Sequence, residues 1–163
     1  MALSVVHNIA EMQKRASQLR AEGRTIALVP TMGYLHSGHA SLIVRARSVA
    51  DVVIVSVFVN PTQFGPQEDF ARYPRDFNHD MEVAGEAGAD IIFAPTVSEM
   101  YPEGCSTTVD VGEVAQYFEG AFRPTHFRGV TTVVSKLFNI TKPHIALFGQ
   151  KDAQQAFIIQ KMV

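Results

Sequence analysis

Two apolar runs and the polar stretch between them decide the fold: Thr25-Ile26-Ala27-Leu28-Val29, then Pro30-Thr31-Met32-Gly33-Tyr34-Leu35-His36-Ser37-Gly38-His39, and after a further helix's length Asp51-Val52-Val53-Ile54-Val55-Ser56-Val57-Phe58-Val59. The first run reads as a short strand stopped by Pro30. The second is apolar on both faces, as strands buried inside a parallel sheet are. Between them Ala40, Ile43, Ala46 and Ala50 fall on one stripe at helical spacing. Strand, helix, strand within 35 residues is a crossover unit with the polar stretch at the strand's carboxyl end. In open parallel sheets that is where ligands bind.

The polar stretch has a direct chemical reading. Ser37 is placed to cap the following helix. A helix N-terminus offers free N–H groups and a partial positive charge, both suited to phosphate. Gly38 leaves room for a phosphate to approach the backbone. The imidazoles of His36 and His39 can donate to phosphoryl oxygens, stabilising charge that builds as a nucleotide bond breaks. An arbitrary His-x-Gly-His is two exposed loop histidines. Directly between a buried strand and an amphipathic helix, it reads as a phosphate site.

Working outward, Asn8 to Glu22 carries Ile9, Met12, Ala16 and Leu19 at helical spacing and ends at Gly23. Asn60 to Pro74 is a loop rich in Pro, Gln, Gly and Asp. A helix is expected from about Asp76 to Ala87, a strand over Asp90 to Ala94, and a half-exposed, alternating strand over Thr107 to Val111. Thr125 to Ile140 is helical in pattern, His144 to Phe148 reads as a buried strand, and Asp152 to Val163 begins another helix. The class is α/β: a Rossmann-like, mostly parallel sheet with flanking helices, in one domain over residues 1–163. The last helix shows no stop signal, so the chain reads as cut rather than finished.

Two more polar clusters follow strands, Asn60-Pro61-Thr62-Gln63-Phe64 and Gly149-Gln150-Lys151-Asp152-Ala153-Gln154-Gln155, so three clusters converge on one sheet edge. Lys151 supplies a compact charge for phosphate, while Asp152 can cap the helix, accept from a ribose hydroxyl or help hold a metal. Gln63 and Gln155 can hold a small polyhydroxy acid, although a lone glutamine is usually just solvated. His126 lies in a polar turn opening a helix, with a ligand-facing and a structural role equally open. His7, His79 and His144 read as structural or surface residues, and Cys105 as an incidental thiol. With 18% charged residues and a net charge of −2 there is no basic block for nucleic acid, and the longest apolar run is too short to cross a membrane. One cysteine and no secretory signal pattern point to the cytoplasm.

Val29 through His39, Phe58 to Phe64, Arg72-Tyr73-Pro74-Arg75, His126 to Val130 and Phe148 to Asp152 together resemble the pantothenate synthetase family in order and spacing along the whole chain. A lone His-x-Gly-His marks only the wider nucleotidyltransferase superfamily. The resemblance implies that ATP and pantoate, with Mg2+, give pantoyl-adenylate and pyrophosphate, and that β-alanine then displaces AMP to give pantothenate. It implies catalytic roles for His39 (the family's proton donor), His36 and Lys151. Met32, Gly33, Tyr34, Leu35, His36, Ser37, Gly38 and His39 would form one ATP segment, and Gly149, Gln150, Lys151 and Asp152 a second. Gln63 and Gln155 would contact pantoate, with Gln63 near β-alanine, and Asn60 would shape the pocket. Asp80 matches a carboxylate near the metal, while no residue is assigned as a metal ligand. A homodimer is implied as well. Ala153 departs from the family's usual aromatic residue. The family continues past Val163 with a Ser-Ser-Arg-Asn segment and a small lid domain, so little turnover is expected of 163 residues. The competing readings are a complete single-domain nucleotidyltransferase and a non-catalytic nucleotide-binding fragment.

Overall fold

In the computed structural model, which describes residues 3–65, 68 and 70–163, the apolar runs form a single five-stranded sheet. Its strands are β1 (Ser4–Val6), β2 (Ile26–Thr31), β3 (Val52–Val57), β4 (Ile91–Phe93) and β5 (Ile145–Ala146), in the order β1-β4-β3-β2-β5. All adjacent pairs are parallel. The helices are α1 (Ile9–Ala21), α2 (Ser37–Arg47), α3 (Phe77–Glu86), α4 (Val97–Met100), α5 (Glu119–Phe122), α6 (His126–Thr141) and α7 (Ala153–Met162).

The two-residue period of the strands sorts the core into two layers. On one face Ile26, Leu28, Val52, Ile54 and Phe93 pack against Met12 and Ala16 of α1, Val130, Val134 and Leu137 of α6, and Ile159 of α7. On the other Ala27, Val29, Val53, Val55 and Ile92 meet Ile43 and Ala46 of α2 and Ala84 of α3. β2 and β3 are wholly buried through Val29 and Ser56, which accounts for their unbroken apolar runs.

Three sequence expectations change, and one strand is new. Pro30 does not stop β2, which runs on to Thr31. Ile26 and Leu28 turn their carbonyls toward the β5 side, accepting from His144 N and Leu147 N. Pro30, two residues on, puts its missing N–H on that same side, past the end of β5, where no ladder bond is lost. The His144 to Phe148 strand shrinks to two paired residues at the sheet edge, with Ile145 37% exposed. Ser4–Val6 is a strand that the sequence reading did not identify. Thr107 to Val111 joins no strand. The hydroxyls of Thr131 and Thr132 on α6 take the Val109 C=O (2.6 Å) and N–H (3.0 Å), so helix side chains replace a strand partner. The loop Asn60 to Pro74 carries short 3₁₀ turns at Pro61–Gln63 and Phe70–Arg72, while Pro66, Gln67 and Asp69 within it lie outside the described residues.

Candidate functional site

The chain leaving β2 turns sharply into α2. Thr31 Oγ1 donates to Ser56 O (2.7 Å) and accepts from Gly33 N (3.2 Å). Gly33 and Tyr34 both have positive φ, +84° and +53°. A side chain at Gly33 would lie 2.9 Å from Asp80 Oδ2, so the position demands glycine on two counts. Asp80, 2% exposed on α3, accepts from Tyr34 N (3.1 Å) and Leu35 N (2.7 Å), which places this carboxylate beneath the turn, with both oxygens bonded to backbone amides. His79 Nε2 lies 3.0 Å from Leu35 O, and His144 Nδ1 accepts from Ile26 N (3.0 Å).

The N-cap of α2 is His36 rather than Ser37, which is already the first helical residue. His36 Nδ1 accepts from Gly38 N (3.1 Å), and His39 Nδ1 accepts from His36 N (3.3 Å), a reciprocal cap built from two imidazoles. An Nδ1 that accepts carries no proton, so each neutral ring holds its hydrogen on Nε2 and can donate from there. Burial, followed by the neighbouring His36 charge, lowers the His39 pKa below the ordinary histidine range, which favours this neutral donor form. Gly38 serves the cap directly: a Cβ there would sit 2.9 Å from the His36 ring.

At the end of β3, Asn60 is 1% exposed and fully engaged. Its Nδ2 donates to Gly129 O (3.0 Å) and Gln63 Oε1 (3.1 Å), while its Oδ1 accepts from the Tyr101 hydroxyl (2.9 Å). Because the Gly129 carbonyl can only accept, the Asn60 amide is oriented. Gln63 must then present its NH2, which points to Met32 Sδ at 3.0 Å. The Gln63 backbone carbonyl accepts from Arg123 Nη2 (3.3 Å) and from His126 Nδ1 (3.0 Å). His126 therefore has the opposite tautomer from His36 and His39, and burial likewise lowers its pKa. Gly129 lets α6 touch this turn backbone to backbone, since a Cβ would lie 2.4 Å from Thr62 O.

The third cluster is looser. Gln150–Asp152 forms a 3₁₀ turn, and Asp152 sits at the N-cap position of α7 without a side-chain capping bond. Its carboxylate pairs instead with Lys151 Nζ at 3.0 Å, the lysine side chain being 87% exposed and the aspartate 58%. Gln154 is tied to Tyr117 O and Glu119 N.

The three clusters line one cleft of about 1030 Å³. It brings together Met32, His36, Gly38, His39, Asn60, Gln63, Gly149, Gln150, Lys151, Asp152 and Gln155. Gly33, Tyr34, Leu35 and Ser37 do not line it: Leu35 is 2% exposed in the core, and Tyr34 faces solvent. Tyr73, Glu119 and Arg123 line it without having been singled out for a role, and His126 joins them. The Arg72-Tyr73-Pro74-Arg75 motif was the available signal for Tyr73. Arg123 and Glu119 reach the cleft only through tertiary packing. Among the described residues no cluster of three or more His, Cys, Asp or Glu is arranged to hold a metal ion, and no helix is long and apolar enough to cross a membrane.

Residues 4–163 match the pantoate-beta-alanine ligase family. The chain is 58% identical over 161 residues to a pantothenate synthetase of Geobacter sulfurreducens, covering 99% of this chain and 57% of that one. A crystal structure of the pantothenate synthetase of Thermus thermophilus superposes with a TM-score of 0.92 at 49% identity, over 98% of this chain and 56% of that one. The Francisella tularensis pantoate-beta-alanine ligase, solved in complex with beta-gamma ATP and beta-alanine, gives 0.93 at 41% identity, over 99% and 62%. The chain thus spans little more than half the length of the curated relatives it matches.

Proposed function

This chain belongs to the pantoate-beta-alanine ligase family, and on that premise we propose that its cleft serves the ATP-dependent joining of pantoate to β-alanine through a pantoyl-adenylate. Residues 1–163 act as the ATP- and pantoate-binding domain. In the first step a pantoate carboxylate oxygen attacks the α-phosphorus of ATP and the bond to pyrophosphate breaks. In the second the β-alanine amine attacks the acyl carbonyl, AMP leaves and the amine's proton passes to solvent. Both steps need positioning and charge stabilisation more than a new nucleophile.

The observation that carries this reading is the reciprocal imidazole cap at the N-terminus of α2. Both Nδ1 atoms are used inside the cap, leaving two Nε2–H donors, which suit phosphoryl oxygens gaining charge as pyrophosphate departs. Lys151 adds positive charge to the cleft lining. Gln63, with its NH2 directed at Met32 Sδ in the cleft lining, suits the carboxylate or hydroxyls of a small acid, and Gln155 lines the same cleft. Mg2+ would supply positive charge to the phosphates, and Asp152, a carboxylate in the cleft lining, would be a residue able to help hold it. We assign a homodimer as well, supported by the exposed aromatics Tyr117, Phe118 and Phe122. A monomeric mass in light scattering at micromolar concentration would overturn that assignment.

The deciding experiment on the full-length protein is AMP release in the presence of pantoate, β-alanine and MgATP, with each omitted in turn. AMP and pantothenate formation that requires all three is expected. A nucleotide-linked product, or release independent of pantoate, would replace this reading with that of a different nucleotidyltransferase.

A further inference from the structure

Asp80 is a carboxylate that the proposed chemistry does not use, yet it is 2% exposed directly beneath the turn that carries that chemistry. An ionised carboxylate is costly to bury unless its oxygens are hydrogen-bonded. Here two consecutive backbone amides do this: Leu35 N donates to Oδ1 at 2.7 Å and Tyr34 N donates to Oδ2 at 3.1 Å. The turn that it grips has two successive residues at positive φ, Gly33 and Tyr34, a conformation that an unsupported backbone rarely holds at a tyrosine. The absent Cβ of Gly33 marks the space that Oδ2 fills, at 2.9 Å. From α3, His79 completes the grip through the Leu35 carbonyl at 3.0 Å. The next residue is His36, the N-cap of α2, whose extended backbone (φ −140°, ψ −178°) sets where its ring and that of His39 lie.

We propose that Asp80 is a positioning residue: its carboxylate fixes the Gly33–Leu35 backbone and thereby aims the His36 and His39 imidazoles into the cleft. This rests on the reading above that those two rings face the phosphates of a nucleotide. It assigns Asp80 to the turn rather than to the metal. Asparagine keeps the shape of the side chain but meets one of the two N–H donors with its own NH2, so it is not expected to substitute.

The test compares Asp80→Asn and Gly33→Ala with the wild-type full-length protein. Pantoate-dependent exchange of pyrophosphate into ATP reads the rate, and long-range nitrogen–proton NMR of the imidazoles reads the ring state without turnover. Wild type should show His36 and His39 as Nε2–H tautomers with accepting Nδ1 atoms. Asp80→Asn should lose that signature and about a hundredfold in kcat, the scale of an ångström's misplacement of catalytic groups, with the nucleotide KM within a few-fold. Gly33→Ala, which pushes Oδ2 off the turn from the other side, should disturb the same ring signals. This second route remains readable if Asp80→Asn does not fold. Unchanged ring signals in the folded variants would overturn the proposal, as would a rate restored by raised Mg2+, which would make Asp80 a metal ligand. If the wild type shows no pantoate-dependent exchange while the ring signals still respond to Asp80→Asn, the reading of the reaction fails and the positioning role stands.

Discussion

The polar clusters after β2 and after β5 line one cleft and are built in opposite ways. The segment from Thr31 to His39 is held at nearly every residue: by Ser56, by Asp80 and His79, and by the reciprocal cap of His36 and His39. The segment from Gly149 to Gln155 has an uncapped helix start, and its Lys151 side chain is 87% exposed. A group already aimed gives its full interaction as charge develops, without the cost of ordering it. A flexible, solvated lysine must first be ordered by what it binds. The first wall is therefore expected to act on rate and the second on binding.

The largest expected effect tests the rigid wall. In the full-length protein His39→Ala should lower the rate of adenylate formation by ~10²–10³ while leaving ATP binding nearly intact, the cost of one preorganised donor. Single-turnover kinetics beside calorimetry would check this, and unchanged turnover in the folded variant would remove His39 from the mechanism.

A middle-sized effect sets the cluster after β3 against the cluster after β5. Gln63 is 8% exposed, with its side-chain oxygen on Asn60 and its carbonyl on Arg123 and His126, whereas Gln155 is half-buried. Both Gln63→Ala and Gln155→Ala should weaken pantoate more than ATP. Gln63→Ala should cost more, about 1–3 kcal/mol, because it also strips the buried Asn60 amide of a partner. Titration calorimetry with each ligand decides. Equal losses for ATP and pantoate would remove the acid-binding role.

The smallest effect is on pH. Protonating His39 puts a hydrogen on Nδ1, where it opposes the His36 N–H it now accepts. Since burial lowers the folded pKa of His39, the unfolded chain binds its proton more readily. Stability contributed by the neutral ring is then present above the unfolded value of about 6.5 and declines as pH falls below it, toward the lower folded value. The acid limb of kcat/KM should accordingly lie below pH ~6.5. In the His39→Ala variant, that limb should shift or vanish. An acid limb that stays in place would assign it to another group.

Much of this was legible from the chain alone because local pattern and buried environment agree. The runs Ile26 to Val29 and Val52 to Val57 are apolar on both faces, so period and burial point to the same central strands. Helices α1 and α3 carry capping residues, Asn8 and Asp76, where their apolar stripes begin. The motif order likewise shows the family, and strand ends show the cleft's edge. What failed locally did so for a definable reason. Thr107 to Val111 alternates like a strand, but its partners are two threonine hydroxyls on a helix 20 or so residues downstream, and alternation cannot say what pairs with it.

Sequence by itself determined the α/β class, the two central strands and the identity of the groups available for chemistry, because side-chain type and periodicity are local properties. Tertiary structure decided what those groups can do. It made His36 rather than Ser37 the cap and gave His36 and His39 one tautomer and His126 the other. It turned the Gln63 NH2 toward Met32 Sδ through Asn60 and Gly129, and it placed Asp80 under the turn 45 residues before it. Each of these outcomes depends on which hydrogen-bond partner arrives from a distant part of the chain. Most buried polar groups take the orientation that matches their donors and acceptors.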